Sequence, residues 1–167
     1  MIPSYINRHI NTNRNTNTND FTCEYKDAIP FVPPIKTGYV VKVYDGDTIT
    51  IVSKLPYPES PLYRFQVRLN HIDCPEMKSN NEDEKIIAKL AQKELENILL
   101  HKHVRLENIT TEKYGRILAD VYINDLQLNK HMIEKRLAVS YNGETKMSPK
   151  SWTKYHFSGE YEHVIKH

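Results

Sequence analysis

Runs of apolar and β-branched residues predict a β-hairpin near the start of the structured part of the chain. One run covers residues 39–44 and a second covers 48–52. The dipeptide Asp45-Gly46 separates them, and this pair of residues is a common signal for a tight turn. The pattern therefore predicts two strands joined by that turn.

A third strand is predicted after a proline-containing loop at residues 55–61, since proline offers no hydrogen-bond donor to a sheet. Residues 62–69 alternate between apolar and polar side chains. This period of two puts Phe65, Val67 and neighbouring apolar residues on one face and Arg68 on the other.

A long amphipathic helix is predicted at residues 82–101, because its apolar residues recur at helical spacing. These residues are Ile86, Ile87, Leu90, Ala91, Leu95, Ile98 and Leu99. Two further strands are predicted at 104–109 and 117–123, followed by a short helix at 128–136. The predicted fold class is thus α+β, a five-stranded OB-fold barrel with one helix after strand 3 and another after strand 5.

The chain ends are predicted to differ from this domain. Residues 1–35 form a disordered or extended N-terminal arm, because Asn and Thr dominate residues 11–19 and prolines follow. The apolar residues near position 32 are compatible with a strap on the domain surface and equally with a plain linker. The domain itself is predicted to span residues 36–145, with a C-terminal extension at 146–167.

Composition excludes several classes of protein. The chain of 167 residues has a net charge of only +2, so bulk positive charge does not indicate a nucleic-acid partner. Two distant cysteines predict neither a disulfide framework nor a zinc site. With no signal sequence and no apolar run of about 20 residues, we expect an intracellular, cytoplasmic protein without membrane contact.

Four carboxylates follow two of the predicted strands, and they are candidate ligands for a hard divalent cation. Asp45 and Asp47 occupy the hairpin turn, although Asp-Gly is first of all a turn dipeptide. Asp73 and Glu76 follow the third strand. Acidic residues gathered at strand ends repel one another unless a cation lies between them.

Two arginines are candidate phosphate ligands, because the planar guanidinium group forms paired hydrogen bonds with phosphate and stays charged. Arg68 ends the third strand near Asp73, whereas Arg116 taken alone is compatible with an ordinary loop arginine. Tyr114 and Tyr141 are candidate nucleotide contacts, with a core or surface position as the alternative for each.

Taken in order, four motifs resemble the thermonuclease family of staphylococcal nuclease-like domains. They are Asp-Gly-Asp-Thr at 45–48, the segment 68–76, Lys-Tyr-Gly-Arg at 113–116, and Leu-Ala at 137–138 with Tyr141. The resemblance covers residues 36–141 and implies a barrel that hydrolyses DNA and RNA with Ca²⁺. The loop at 55–61 is longer than in the secreted bacterial members.

The resemblance also implies a role for each matching residue. Asp47, Asp73 and the backbone carbonyl of Cys74 would bind the metal, with Asp45 in the outer shell. Arg68 and Arg116 would hold the phosphate, and Glu76 would handle the attacking water. Lys113, Tyr114 and Tyr141 would contact the substrate.

We therefore expect a calcium-dependent nuclease that acts as a monomer on DNA, RNA or both, with single strands preferred. Two alternatives fit the residues. In the first alternative, the barrel is a catalytically inactive module that binds nucleic acid or protein. In the second, it cleaves a small phosphodiester instead of a polynucleotide.

Overall fold

The fold is described by a computed structural model that covers residues 22–112 and 115–166. The chain divides into two compact units, residues 1–31 and residues 32–167. In the first unit the described part contains one short 3₁₀ turn at Tyr25–Asp27. The elements that follow all belong to the second unit.

Ten strands and three helices lie in the described part of the second unit. The strands are β1 (Thr37–Val43), β2 (Thr48–Lys54), β3 (Leu62–Leu69), β4 (Ile72–Asp73), β5 (His103–Thr111), β6 (Ile117–Ile123), β7 (Leu126–Gln127), β8 (Val139–Ser140), β9 (Lys146–Pro149) and β10 (His163–Lys166). The helices are α1 (Glu82–Leu99), α2 (Leu128–Glu134) and α3 (Trp152–Ser158).

Five strands close into a barrel in the order β3-β2-β1-β5-β6, and β6 pairs back with β3. All neighbouring pairs in the ring are antiparallel except β3 and β6, which run parallel with Val67 opposite Ile117. Closure satisfies the edges that an open sheet of this size would expose. The predicted α+β fold with a five-stranded barrel is confirmed.

Helix α1 covers one side of the core with a line of residues that are fully buried. These residues are Ile87, Ala91, Leu95 and Leu99. The expectation that Ile86 and Leu90 share this buried stripe is wrong, because their side chains are 51% and 41% exposed. Successive residues of an α-helix are about 100° apart around its axis, so Ile86 and Leu90 lie beside the buried line of side chains and not on it.

The C-terminal part of the chain also contributes to the core. Trp152, at the start of α3, is 2% exposed and belongs to the same buried cluster as the barrel strands. Asp83 in the first turn of α1 accepts hydrogen bonds from the backbone N–H groups of Trp152 (2.6 Å) and Thr153 (3.3 Å). Helix α3 is thereby fixed to α1 by apolar packing and by hydrogen bonds.

Membrane-spanning helices were not expected from the sequence. Among residues 22–112 and 115–166, no helix combines the length and the apolar character needed to cross a bilayer.

Candidate functional site

The turn between β1 and β2 carries two aspartates and packs against Cys74 and the middle of helix α1. The Asp45 carboxylate accepts a hydrogen bond from the backbone N–H of Asp47 at 3.1 Å. A Cβ atom at Gly46 would lie 2.7 Å from the Ala91 side chain and 2.9 Å from the Cys74 sulfur. Only glycine therefore allows the turn to pack this closely against Cys74 and α1.

A second tight turn brings Asp73 back towards the end of β3. His71 adopts a left-handed conformation with φ of 59°, and its backbone N–H donates a hydrogen bond to the side-chain oxygen of Asn70. The Asn129 amide on α2 donates to the Asn70 carbonyl at 2.8 Å and so secures the turn. The chain then enters β4, where Asp73 pairs with Val139 of β8.

Arg68 joins the two segments electrostatically. Its Nη1 contacts the Asp47 carboxylate, and its Nη2 lies 3.0 Å from Asp73 Oδ1. Nη2 also donates to the Ile72 carbonyl at 3.2 Å. The side chains of Asp47 and Asp73 are only 5% and 4% exposed, so this guanidinium is a close counter-charge for two buried carboxylates.

The carboxylates of Asp45, Asp47 and Asp73, which we call the acidic corner, carry more negative charge than Arg68 alone compensates. Burial raises the pKa of Asp47 to about 6 although the Arg68 charge and the Thr48 hydroxyl lower it, and Asp45 and Asp73 raise it further. An additional cation at this corner would relieve that repulsion.

The donor chemistry of the acidic corner fits a hard divalent cation such as Ca²⁺, which prefers carboxylate and carbonyl oxygens. The Cys74 backbone lies beside the corner, since its N–H donates to Asp47 Oδ2 at 3.3 Å. Burial and the nearby aspartates raise the pKa of the Cys74 thiol well above its usual range, so this residue offers backbone oxygen rather than a thiolate.

Side chains alone do not form a complete cage. In the part of the chain that the structure describes, no three His, Cys, Asp or Glu side chains are grouped as a ready-made metal site. A cation bound at the acidic corner would therefore take further ligands from the backbone and from water.

Glu76 lies on a short loop that a helix residue holds in place. The buried Glu84 of α1 accepts a hydrogen bond from the Glu76 N–H at 3.0 Å and another from the Ser79 hydroxyl at 2.7 Å. The side chain of Glu76 itself is 58% exposed, and one of its oxygens lies 3.6 Å from Lys146 Nζ. The backbone of Glu76 is thus fixed while its carboxylate reaches solvent.

Arg116 is positioned where the hairpin of β5 and β6 closes. The N–H of Glu112 donates to the Arg116 carbonyl at 3.0 Å, and the Glu112 carboxylate contacts Arg116 Nε. Two predicted substrate contacts, Lys113 and Tyr114, lie outside the described residues.

One cleft of about 620 Å³ brings these groups together. The residues that line it are Asp45, Asp47, Arg68, Cys74, Pro75, Glu76, Glu112, Arg116, Tyr141, Gly143 and Lys146. Asp73 is connected to this cleft through its contacts with Arg68 and Lys146. Every site residue predicted from the sequence that the structure describes therefore lies in the cleft or directly beside it.

Sequence reasoning missed Glu112 and Lys146. Glu112 precedes Arg116 by four residues across a hairpin end, and this opposite-charge spacing was an available signal. Lys146 had none, because it is a single lysine in a segment that matched no motif.

Comparison with known proteins places this architecture in context. The family model described as staphylococcal nuclease homologue matches residues 66–158, more than half of the chain. An uncharacterized endonuclease of Haemophilus influenzae is 34% identical over 105 residues, which cover 63% of this chain and 52% of that protein. A probable endonuclease of Schizosaccharomyces pombe is 31% identical over 128 residues, covering 64% and 56% respectively.

A third relative has a different name. Protein ParB of Escherichia coli is 33% identical over 88 residues, covering 52% of this chain and 42% of that protein. The chain thus spans about half the length of the curated relatives it matches.

Proposed function

This chain belongs to the family of staphylococcal nuclease homologues, and we propose that it is a calcium-dependent nuclease with little sequence specificity. The proposed substrates are DNA and RNA, with single strands preferred because a flexible strand brings its phosphates into a cleft more easily than a stiff duplex does. The proposed active species is a monomer, because a single chain supplies both the carboxylates and the guanidinium groups of the cleft.

The observation that carries the proposal is the meeting of acids and guanidinium groups in one cleft. Asp47, Arg68, Glu76 and Arg116 come from separate parts of the sequence and line the same space. A module that only binds a polyanion gains nothing from buried carboxylates facing its ligand. Metal-assisted cleavage of a phosphodiester uses both kinds of group, because carboxylates hold the cation and guanidinium groups stabilise the charge on the phosphate.

Asp47 and Asp73 are proposed to hold the cation, with the Cys74 carbonyl as a third ligand and Asp45 in the outer shell. Bound Ca²⁺ would supply Lewis-acid polarisation of a phosphate oxygen. The two aspartates are suited to this task because their side chains are nearly buried and both contact the same guanidinium, which puts them within reach of one cation.

Glu76 is proposed to orient or deprotonate the attacking water. Its exposed carboxylate can contact solvent, and its backbone is held by Glu84. In the deprotonation route the water proton passes to Glu76 as the water oxygen bonds to phosphorus, the bond between phosphorus and the leaving oxygen breaks, and the leaving oxygen takes a proton from solvent.

Arg68 and Arg116 are proposed to stabilise the charge that accumulates on the phosphate oxygens. Hydrogen bonds from a guanidinium strengthen as this charge grows, so they favour the transition state over the bound substrate. Lys113, Tyr114 and Tyr141 are proposed to contact the neighbouring nucleotide.

The test is a cleavage assay on single-stranded DNA and on RNA, each with CaCl₂ or with a chelator. We expect cleavage only with CaCl₂. The variants Glu76→Gln and Arg116→Ala should lower kcat by about 100-fold or more with a smaller change in KM. Matched controls are Glu82→Gln, whose side chain is 79% exposed at the start of α1, and Arg64→Ala on β3. Both controls lie outside the cleft and should keep full activity.

Two results would contradict the proposal. One is an unmodified chain that leaves both polymers intact with CaCl₂ present, and binding without cleavage would then favour the alternative of an inactive module. The other is cleavage that proceeds equally well in chelator.

A further inference from the structure

Lys146, the first residue of β9, directs its ammonium group into the acidic side of the cleft. Its Nζ lies 2.8 Å from Asp73 Oδ1 and 3.6 Å from Glu76 Oε1. The Asp73 side chain is 4% exposed, whereas that of Lys146 is 36% exposed. Lys146 therefore reaches from the rim of the cleft to a nearly buried carboxylate.

This contact differs from the other lysine pairs of the C-terminal segment. Lys150 pairs with Glu162 at 3.3 Å, but both of these side chains are about two-thirds exposed, and such pairs contribute little. A lysine ammonium has an ordinary pKa of about 10.4, so it carries its charge at neutral pH. The ammonium stays charged beside Asp73.

The backbone of Lys146 is anchored while its side chain is long and adaptable. Strand β9 pairs with β10, with Ser148 opposite Val164, and Ser148 is fully buried. The four-carbon stem of a lysine carries rotatable bonds that allow its ammonium to move without displacement of the strand. Lys146 can thus leave Asp73 at the cost of one ion pair.

An ammonium and a divalent cation compete for the same oxygens. Arg68 and Lys146 both contact Oδ1 of Asp73, and Lys146 also approaches Glu76. Lone pairs directed at an ammonium group are not available to a metal ion, and two cations a few ångströms apart repel each other. The side chain of Lys146 therefore fills the role of a cation at Asp73 when no metal is bound.

We propose that Lys146 is a tethered competitor of the divalent cation, so that Ca²⁺ binding requires its ammonium to leave Asp73. This inference rests on the proposed function, because it concerns the same cation. The apparent calcium affinity then depends on Lys146 of β9 as well as on the aspartates. Lys146 is a regulatory residue in this scheme and takes no part in bond cleavage.

The test is calorimetric titration of the 167-residue chain with CaCl₂. We expect Lys146→Met to lower the Kd for Ca²⁺ by about tenfold, since removal of one positive charge a few ångströms from a divalent ion relieves strong repulsion. The matched control Lys150→Met lies on the same segment outside the cleft and should leave the Kd unchanged. Lys146→Arg keeps the charge and should bind Ca²⁺ as weakly as the unmodified chain.

A second readout is thermal unfolding with and without CaCl₂. Addition of Ca²⁺ should raise the Tm of Lys146→Met more than that of the unmodified protein, because tighter binding to the folded state gives more stabilisation. If Lys146→Met does not fold, Lys146→Gln removes the charge while keeping a hydrogen-bond donor for Asp73 and takes its place.

An unchanged or weaker calcium affinity in the folded uncharged variant overturns the role of Lys146. If that result accompanies calcium binding and cleavage by the unmodified chain, the proposed function survives alone. If the unmodified chain and the uncharged variant both bind no Ca²⁺ and cut no nucleic acid, the proposed function and this inference fail together.

Discussion

Arg68 balances the charge of two buried carboxylates, so its removal should be costly even without any ligand. We expect Arg68→Met to lower the free energy of unfolding at pH 7 by about 3–5 kcal/mol, the usual cost of leaving a buried charge unpaired. Urea denaturation followed by circular dichroism in chelator measures this loss. Arg64→Met on the same strand is the control and should cost less than about 1 kcal/mol.

A loss for Arg68→Met as small as that of the control would mean that other groups compensate the charge of Asp47 and Asp73. Lys146 is the first such group to examine, because it already contacts Asp73.

At the scale of single residues, the sequence indicated the acids and arginines of the cleft. Each of them lies in a short motif whose residue types suit a metal ion or a phosphate. Asp47 follows a turn glycine, and Asp73 and Glu76 follow a strand. Lys146 was not foreseeable, since its contact with Asp73 depends on the path of the chain over more than 70 residues.

Among the elements, α1 positions the loop that carries Glu76. We expect Glu84→Gln to reduce kcat about 10- to 100-fold, since the two hydrogen bonds go to different oxygens and the NH₂ group that replaces one of them cannot accept. Small displacements of a reacting group are costly. KM should change little, and the Tm should fall by only a few degrees. Steady-state kinetics measure kcat and KM separately, and Glu82→Gln in the same helical turn is the control. An unchanged kcat for Glu84→Gln would mean that the loop does not need these hydrogen bonds.

The contact between α1 and α3 should make stability depend on pH. Burial raises the pKa of Asp83, but hydrogen bonds from the Thr153 and Ser151 hydroxyls and from the backbone outweigh it and lower the pKa. A lowered folded pKa gives stability that is present above the unfolded value, about 3.9, and is lost as the pH falls through the folded pKa.

We therefore expect Asp83→Asn to cost about 1–2 kcal/mol at pH 7 and progressively less as the pH falls below about 4. Urea midpoints at pH 7 and pH 3 check this, with Asp125→Asn in an exposed turn as the control. A difference from the unmodified chain that stays constant with pH would exclude the ionised Asp83 as its cause.

Helix α1 was predictable from apolar spacing over several turns. Helices α2 and α3 have seven residues each, but α2 buries Leu128 and Met132 on one face, whereas α3 buries only Trp152 and so offers no repeated apolar spacing. Its start is fixed by the Ser151 side chain, which accepts from the Lys154 N–H, and by Asp83, which is distant in sequence.

At the scale of the whole molecule, Trp152 ties the C-terminal segment to the barrel core. We expect Trp152→Ala to cost about 3–5 kcal/mol in the free energy of unfolding. Within the described residues the Trp152 Nε1 makes no hydrogen bond, so Trp152→Phe loses only packing and should cost less. Urea denaturation of both variants measures the difference, and an unchanged midpoint for Trp152→Ala would show that this segment unfolds separately.

The barrel as a whole was predictable because strand order and period fix which faces are buried. The sequence could not indicate how the C-terminal strands β9 and β10 pack, since their packing depends on single contacts such as the one between Lys146 and Asp73. Long-range contacts of this kind carry no periodic signal along the chain.

The parallel seam between β3 and β6 has a consequence for biosynthesis. During translation, the residues of the acidic corner and Arg68 are synthesised well before Arg116 and Tyr141. The barrel cannot close until β6 has left the ribosome, because β6 pairs with β3. Non-local pairing of this kind forms late. Under the proposed function, we expect a nascent chain that ends before β6 to leave RNA intact, because its cleft still lacks Arg116.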